Sequence, residues 1–391
     1  MFKLFKISRQ MLLLATTVAL INVATTGAAR ADVIIQPTPD NGLQPRISVD
    51  ENGLVHLLYF KKHTNRPAAR EGNLYYRQYD PAAGSFGLPV KVSSQAFSML
   101  MFSFARAAMA IDGEGRAHVL WYLPRSNQYF YTRSNQDRNR FEPQRPMVSQ
   151  YTEGIEAGAD IAARGSQVAI FWGAGDLSRE YERTIFARFS HDSGASFGAE
   201  IMVSNPDLGV CVCCSLAGDY MNDSELLVAY RSAIDGIGRH MQLLTVENVD
   251  NEITGATYTP VSELREWESS ACPVSTNDIG TDANANHWLV FETSSRIVQM
   301  NLHSLSEPTL VGEPFTKTRQ KNPAIAINNS NERLVVWGEA ISHTRGGRLN
   351  MRLFDAAGNE TNYQFKEEIT IPNHSFPAAA SLANGDFLVL Y

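Results

Sequence analysis

One pattern of apolar and polar positions recurs along the chain. A short apolar segment leads into a polar turn holding Gly, Asn or Asp, and a second apolar segment then ends in an aromatic residue. The pattern runs from Ile47 to Tyr59, Ala110 to Trp121, Ile161 to Trp172, Leu216 to Tyr230, Val274 to Phe291, Ala324 to Trp337 and Ala378 to Tyr391. The seven closing aromatics follow one another at intervals of 46 to 62 residues. Each apolar segment is too short for a helix and is rich in β-branched and aromatic residues, so each predicts a strand. The turns carry the Asn-Gly, Asp-Gly or Asn-rich chemistry that closes tight hairpins.

Most units continue past the aromatic with a third strand, as at 73–79, 184–189 and 349–354, and some with a fourth, as at 90–93 and 200–204. Four strands in about fifty residues make one blade of a β-propeller, in which radial packing buries both faces of every sheet. The predicted fold is therefore all-β: a propeller of four-stranded blades, seven in number with the last incomplete, or six as the alternative. The chain stops at the seventh aromatic, so Val33, Ile34 and Ile35 are expected to lend the last blade an outer strand. No stretch of helical period interrupts the repeat, which excludes α/β folds.

The N-terminus departs from this pattern. Lys3, Lys6 and Arg9 precede an uncharged apolar run from Met11 to Val23, and Ala29-Arg30-Ala31 reads as a cleavage site. Residues 1–31 are predicted to be a secretory signal peptide and 32–391 a single propeller domain. The expected location is periplasmic or secreted, with no stable membrane insertion after cleavage. Removing the leader's four basic residues takes the formal net charge from −7 to −11. That excess of acid excludes nucleic acid as an expected partner. A monomer is the expected state.

Four cysteines, Cys211, Cys213, Cys214 and Cys272, are too few for a disulfide scaffold. Cys213 and Cys214 are expected to begin the inner strand of the fourth unit and Cys272 that of the fifth. Adjacent blades bring such strand starts side by side, so the four are expected to converge. Three readings stay open: disulfides, a metal site for Cu or Zn, and redox chemistry through a labile disulfide. No other cofactor is required.

Ser190, Asp192, Gly194 and Phe197 fit the pattern S-x-D-x-G-x-x-[FW]. This is the Asp box, and the chain resembles the sialidase superfamily of propellers, often called BNR-repeat proteins, in which the box is structural. Looser versions start at Asp80 and Asp355. Cys211-Val-Cys213-Cys214, Ala229-Tyr230-Arg231 and Cys272-Pro273-Val274 resemble a subgroup of bacterial exported sialidase-like proteins. Ala271 stands where that subgroup has Gly. The resemblance implies a glycan or other extracytoplasmic ligand in the central funnel. In the sialidases it implies a Tyr nucleophile activated by Glu, and arginines that fork onto a carboxylate. The residues matching those roles are Tyr230 with Glu292, and Arg231, Arg46 and Arg319. Arg106, Glu339, Asp219 and Asp278 are further funnel residues. Three functions follow as expectations: a glycan-binding propeller, an exo-sialidase-type hydrolase, or a metal- or thiol-linked accessory protein centred on the cysteines.

Overall fold

The computed structural model describes residues 31–63, 70–99, 105–176, 178–249, 267–304, 307–312, 318–342, 345–363, 365 and 368–391. Apart from Ala31, the predicted signal peptide lies outside the described residues.

Strand β1 (Val33–Gln36) opens the described chain. Blade 1 holds β2 (Leu43–Val49), β3 (Val55–Lys62) and β4 (Glu71–Asp80), with the short β5 (Ser85–Phe86), β6 (Val90–Lys91) and β7 (Phe97–Ser98) all paired to β4. Blade 2 is β8 (Ala108–Ile111), β9 (Ala117–Leu123), β10 (Gln128–Arg133) and β11 (Arg145–Pro146). Blade 3 is β12 (Asp160–Arg164), β13 (Gln167–Ala174), β14 (Thr184–Ser190) and β15 (Ile201–Met202). Blade 4 is β16 (Ala217–Asn222), β17 (Glu225–Arg231) and β18 (Met241–Glu247). Blade 5 is β19 (Asn277–Thr281), β20 (His287–Thr293), β21 (Arg296–Asn301) and β22 (Thr309–Leu310). Blade 6 is β23 (Gln320–Ile327), β24 (Arg333–Glu339) and β25 (Arg348–Phe354). Blade 7 is β26 (Ala378–Ser381) and β27 (Phe387–Leu390), completed by β1.

The fold is thus the predicted seven-bladed all-β propeller. Its inner strands neighbour one another in the order β2, β8, β12, β16, β19, β23, β26 and back to β2. Closure uses the predicted segment: Val33–Gln36 pairs with Phe387–Leu390, in parallel orientation, as the third strand of blade 7. Asp32 C=O accepts from Phe387 N–H, and Thr38 N–H donates to the Tyr391 carbonyl. The two ends of the chain therefore share one sheet, which removes a free edge.

The turn between first and second strands is built the same way in four blades. Asp50 Oδ1 accepts the N–H groups of Asn52 and Leu54, and Asp112 Oδ1 those of Glu114 and Arg116. Asp282 does this for Asn284 and Asn286, and Asn328 for Ser330 and Glu332. The fourth residue of each turn takes a left-handed φ: 75° at Gly53, 76° at Gly115, 61° at Ala285 and 61° at Asn331. In blades 1 and 2 a buried imidazole sits beneath the carboxylate. His118 lies 3.2 Å from Asp112 and 2.7 Å from the Tyr131 hydroxyl, and His56 lies likewise between Asp50 and Tyr76.

The core lies between blades and follows the period of two. On β17, Leu226, Val228 and Tyr230 pack into a cluster with Phe171 and Ile185 of blade 3. Leu227 and Ala229 face the other way, against Leu289 and Phe291 of blade 5. Six of the seven repeat aromatics are buried as predicted, and Tyr391 is partly so.

Candidate functional site

The inner strands bring seven equivalent residues to the axis. Each pairs across its hairpin with the residue just before the repeat aromatic. They are Arg46, Ala108, Asp160, Ala217, Asp278, Ala324 and Ala378. Blades 1, 3 and 5 supply charge; the other four supply alanine, which leaves room at the centre for one long side chain. Arg46 spans that room. Its Nη1 lies 3.2 Å from Asp278 and its Nη2 3.8 Å from Asp160. Burial opposes the Arg46 charge, but Asp160 and Asp278 outweigh it and raise its pKa. Burial pushes Asp160 upward despite Arg46. Asp278 also accepts from Ile325 N–H, and Asp160 from Gly218 N–H, so the cross ties blades 1, 3, 4, 5 and 6 together.

On one side of this cross lies a cavity of about 360 Å³ lined by all seven inner strands, where small and aliphatic residues alternate with the polar groups of Arg46, Ser48, Asp219, Asp278, Thr281 and Ser381. On the other side, where the inner strands begin, Arg46, Asp160 and Ser215 share a small pocket with Arg106. Arg106 makes no salt bridge among the described residues. Its guanidinium stacks 5.1 Å from the centre of the Phe376 ring. Burial and the charge of Arg46 hold its pKa down at about 10, so it stays cationic at neutral pH.

The second cluster lies at the seam of blades 4 and 5. Val210 and Val212 bury into the apolar cluster between blades 3 and 4, which turns the alternating Cys211 the other way. Cys211 N–H donates to Arg231 C=O, and Cys214 N–H closes a turn onto Cys211 C=O. A Cβ on Gly158 would stand 2.3 Å from Cys214 O, so only glycine lets this loop pack so closely. Cys213 and Cys272 form a disulfide, while Cys211 and Cys214 are buried free thiols. Cys211 Sγ lies 3.1 Å from Cys214 Sγ, 3.4 Å from Cys213 Sγ and 3.9 Å from Cys272 Sγ. The hydrogen bond to Cys214, with burial, raises the Cys211 pKa; burial works against Cys214, but Cys211 and Arg231 outweigh it and lower that pKa.

Buried cations surround these sulfurs. Arg231 donates to Ser275 Oγ at 2.8 Å and to the carbonyls of Arg239 and Glu292, and it faces the Trp267 ring at 4.8 Å. Arg239 pairs with Glu180 at 2.8 Å. Glu292, fully buried, is held by Arg319 at 3.2 Å and Lys321 at 3.3 Å. Lys321 also donates to the carbonyls of Pro273 and Val274, directly after Cys272, and Arg319 donates to Pro273. Val274 is held at φ 50°, a strained value for a β-branched residue.

The residues matched to sialidase roles therefore divide. Arg231, Glu292 and Arg319 come together at the seam, beside the cysteines. Arg46 lies at the axis. Tyr230 is 2 % exposed and packs toward blade 3, whereas Glu292 faces blade 6 with Val290, so the two are not brought together. Glu339 receives hydrogen bonds from Thr318 and Asn350. In the Asp box, Asp192 accepts from Ser196 N–H, Gly194 takes φ 75°, and Phe197 packs edge-on against Tyr131, all on the outer turn after β14.

Sequence reasoning missed Asp160, Arg239, Glu180 and Lys321. Asp160 had a signal, since Arg46-Ile47, Asp160-Ile161 and Asp278-Ile279 occupy one repeat position in alternate units. Arg239 and Glu180 lie outside the paired strands, and Lys321 stands where blade 1 has Leu43, so the repeat marks none of the three as charged.

No family model and no curated protein matches the sequence. Among solved structures, the chain is similar to a Penicillium chrysogenum α-L-arabinanase complexed with arabinobiose, at 12 % identity and TM-score 0.52, over 84 % of this chain and 98 % of that one. It is similar also to the Hadza microbial sialidase Hz136, at 12 % identity and TM-score 0.51, over 81 % of this chain and 66 % of that one, just under two thirds. The likeness is one of fold. Among the described residues no helix is long and apolar enough to cross a membrane.

Proposed function

We propose that this is an exported propeller that binds an acidic glycan where its inner strands begin, with Arg106 taking the carboxylate of the sugar. The carrying observation is that Arg106 is a half-buried guanidinium with an aromatic ring behind it and no ion-pair partner among the described residues. A guanidinium fork fits a carboxylate in bidentate fashion, and the partly dry surroundings strengthen the pair. Arg46 is already engaged by Asp160 and Asp278, which leaves Arg106 as the guanidinium in this pocket free to take a carboxylate. The likeness of fold to the sialidase and to the arabinanase supports a sugar as the ligand class. The distance in the fold between Tyr230 and Glu292 supports binding over hydrolysis. A disulfide suits an oxidising, extracytoplasmic compartment.

The test is calorimetric titration with uronic- and sialic-acid oligosaccharides and their neutral counterparts. Saturable, salt-sensitive binding of the acidic sugars alone is expected, and Arg106→Ala should weaken it by about tenfold or more. Equal binding of neutral sugars, no binding at all, or an indifferent Arg106→Ala would overturn the reading.

A further inference from the structure

We propose that, once reduced, the four cysteines form a tetrathiolate site for one divalent d10 cation, zinc being the natural occupant, which clamps blade 4 to blade 5. The site is separate from Arg106 and stands or falls independently of the glycan.

Geometry is the first argument. Tetrahedral zinc with Zn–S bonds of about 2.3 Å sets sulfur–sulfur edges of about 3.8 Å. The four Sγ atoms all lie within 4.8 Å of one another, and those about Cys211 stand at 3.1, 3.4 and 3.9 Å. Once the Cys213–Cys272 bond is broken, its two sulfurs must part to about 3.8 Å while the edges from Cys211 already stand near that value, so side-chain rotations suffice with no refolding of either blade. The ligands come from two loops, one before β16 and one before β19, and both loops are tied in place. Gly158 admits the first at close range, and Lys321 and Arg319 hold the carbonyls of the second.

Charge is the second argument. Around the sulfurs stand four cations, Arg231, Arg239, Arg319 and Lys321, and two carboxylates, Glu180 and Glu292. That leaves a net charge of two positive. Arg231 is 1 % exposed and its guanidinium meets only neutral acceptors, while Nη1 of the 2 %-exposed Arg239 has no hydrogen-bond partner. Buried charge is costly unless compensated. In the disulfide form the two remaining thiols supply at most one negative charge, on Cys214, which is half of the surplus. Four thiolates around one divalent ion carry two negative charges, which match the surplus.

The two states interconvert by balanced chemistry. A dithiol reduces the Cys213–Cys272 bond, becoming a disulfide itself as it passes two electrons and two protons to the two sulfurs. Binding of the divalent ion then releases four protons from four thiols. Cys213 and Cys272 reach solvent while Cys211 and Cys214 are buried, so a reductant meets the bond that must break.

The experiment uses the chain reduced with dithiothreitol, freed of reductant anaerobically and titrated with Co²⁺ and then Zn²⁺. Expected are one ion per chain by native mass, the visible bands of tetrahedral cobalt with a sulfur-to-cobalt charge-transfer band, and their loss on zinc addition. The oxidised chain should take up no ion. Cys272→Ser lies on an accessible loop and leaves the far-ultraviolet circular dichroism unchanged; it should lower zinc affinity by about 100-fold or more, beyond the loss of a supporting hydrogen bond. A folded, reduced chain that binds neither ion would overturn the proposal, as would a Cys272→Ser chain that binds as tightly. Uptake of Cu(I) with refusal of Zn²⁺ would overturn the charge match and the divalent assignment with it.

Discussion

The propeller axis and the seam of blades 4 and 5 both gather buried charge, and they settle it in different ways. At the axis one arginine faces two aspartates from alternate blades, and four alanines leave it space. At the seam four cations share two carboxylates, and of the remaining donors most go to backbone carbonyls and Ser275 while Arg239 Nη1 finds no partner. A cluster that pairs its own charges serves the fold and needs nothing from outside. A cluster with charge left over invites a ligand; at the axis Arg46 leaves one carboxylate in excess, which Arg106 offsets only at a distance, its guanidinium making no ion pair among the described residues. Surplus charge, more than the mere presence of arginines, separates scaffold from candidate site here.

Four substitutions break or sharpen this contrast. The largest effect is expected at the seam. Glu292→Gln leaves Lys321 buried without its carboxylate and should destabilise the fold by about 3–5 kcal/mol in urea denaturation. Asp160→Asn at the axis should cost less, about 2 kcal/mol, because Arg46 keeps Asp278. Equal losses at the two places would sink the idea that the axis is doubly secured and the seam is not. A smaller effect belongs to the turns, outside both regions. Burial holds the His118 pKa below the ordinary 6.5 in spite of Asp112. The unfolded chain therefore takes up the proton first, and stability should fall as pH drops below 6.5. Urea midpoints at pH 7 and pH 5 test this, and His118→Gln should flatten the difference. The smallest effect is at the Asp box. Hydrogen bonds from Ser196 and Ser190 outweigh burial and hold Asp192 at about 2. Its contribution is full above the ordinary carboxylate value of 3.8 and is lost as pH falls toward 2. Asp192→Asn should cost about 1 kcal/mol near neutral pH, and the gap from the parent should close at pH 2.

Much of the architecture was legible because it rests on local rules. Alternation with a period of two, Asn-Gly and Asp-Gly turns and a recurring aromatic are each written within a dozen residues. That is why seven blades, the closing role of Val33–Ile35 and the position of the repeat aromatics could be read in advance. Convergence of the cysteines was legible too, since a propeller sets equivalent loops of adjacent blades side by side. The face taken by Tyr230 was within reach of the same parity: with Leu226 and Val228 it forms an apolar row, which turns it away from Glu292.

What the sequence by itself determined is the strand, the hairpin and the repeat, because those follow from backbone geometry and from which side chains prefer to leave water. The tertiary structure decided which charges are paired and which are left over. Arg46 meets Asp160 and Asp278 across 114 and 232 residues of chain, as Arg239 meets Glu180 across 59. Coulomb attraction between side chains falls with distance in space and takes no account of distance in sequence. Only the closed ring, which fixes one set of distances at the axis and another at the seam, separates the arginines that meet a carboxylate from those, like Arg106 and Arg231, that do not.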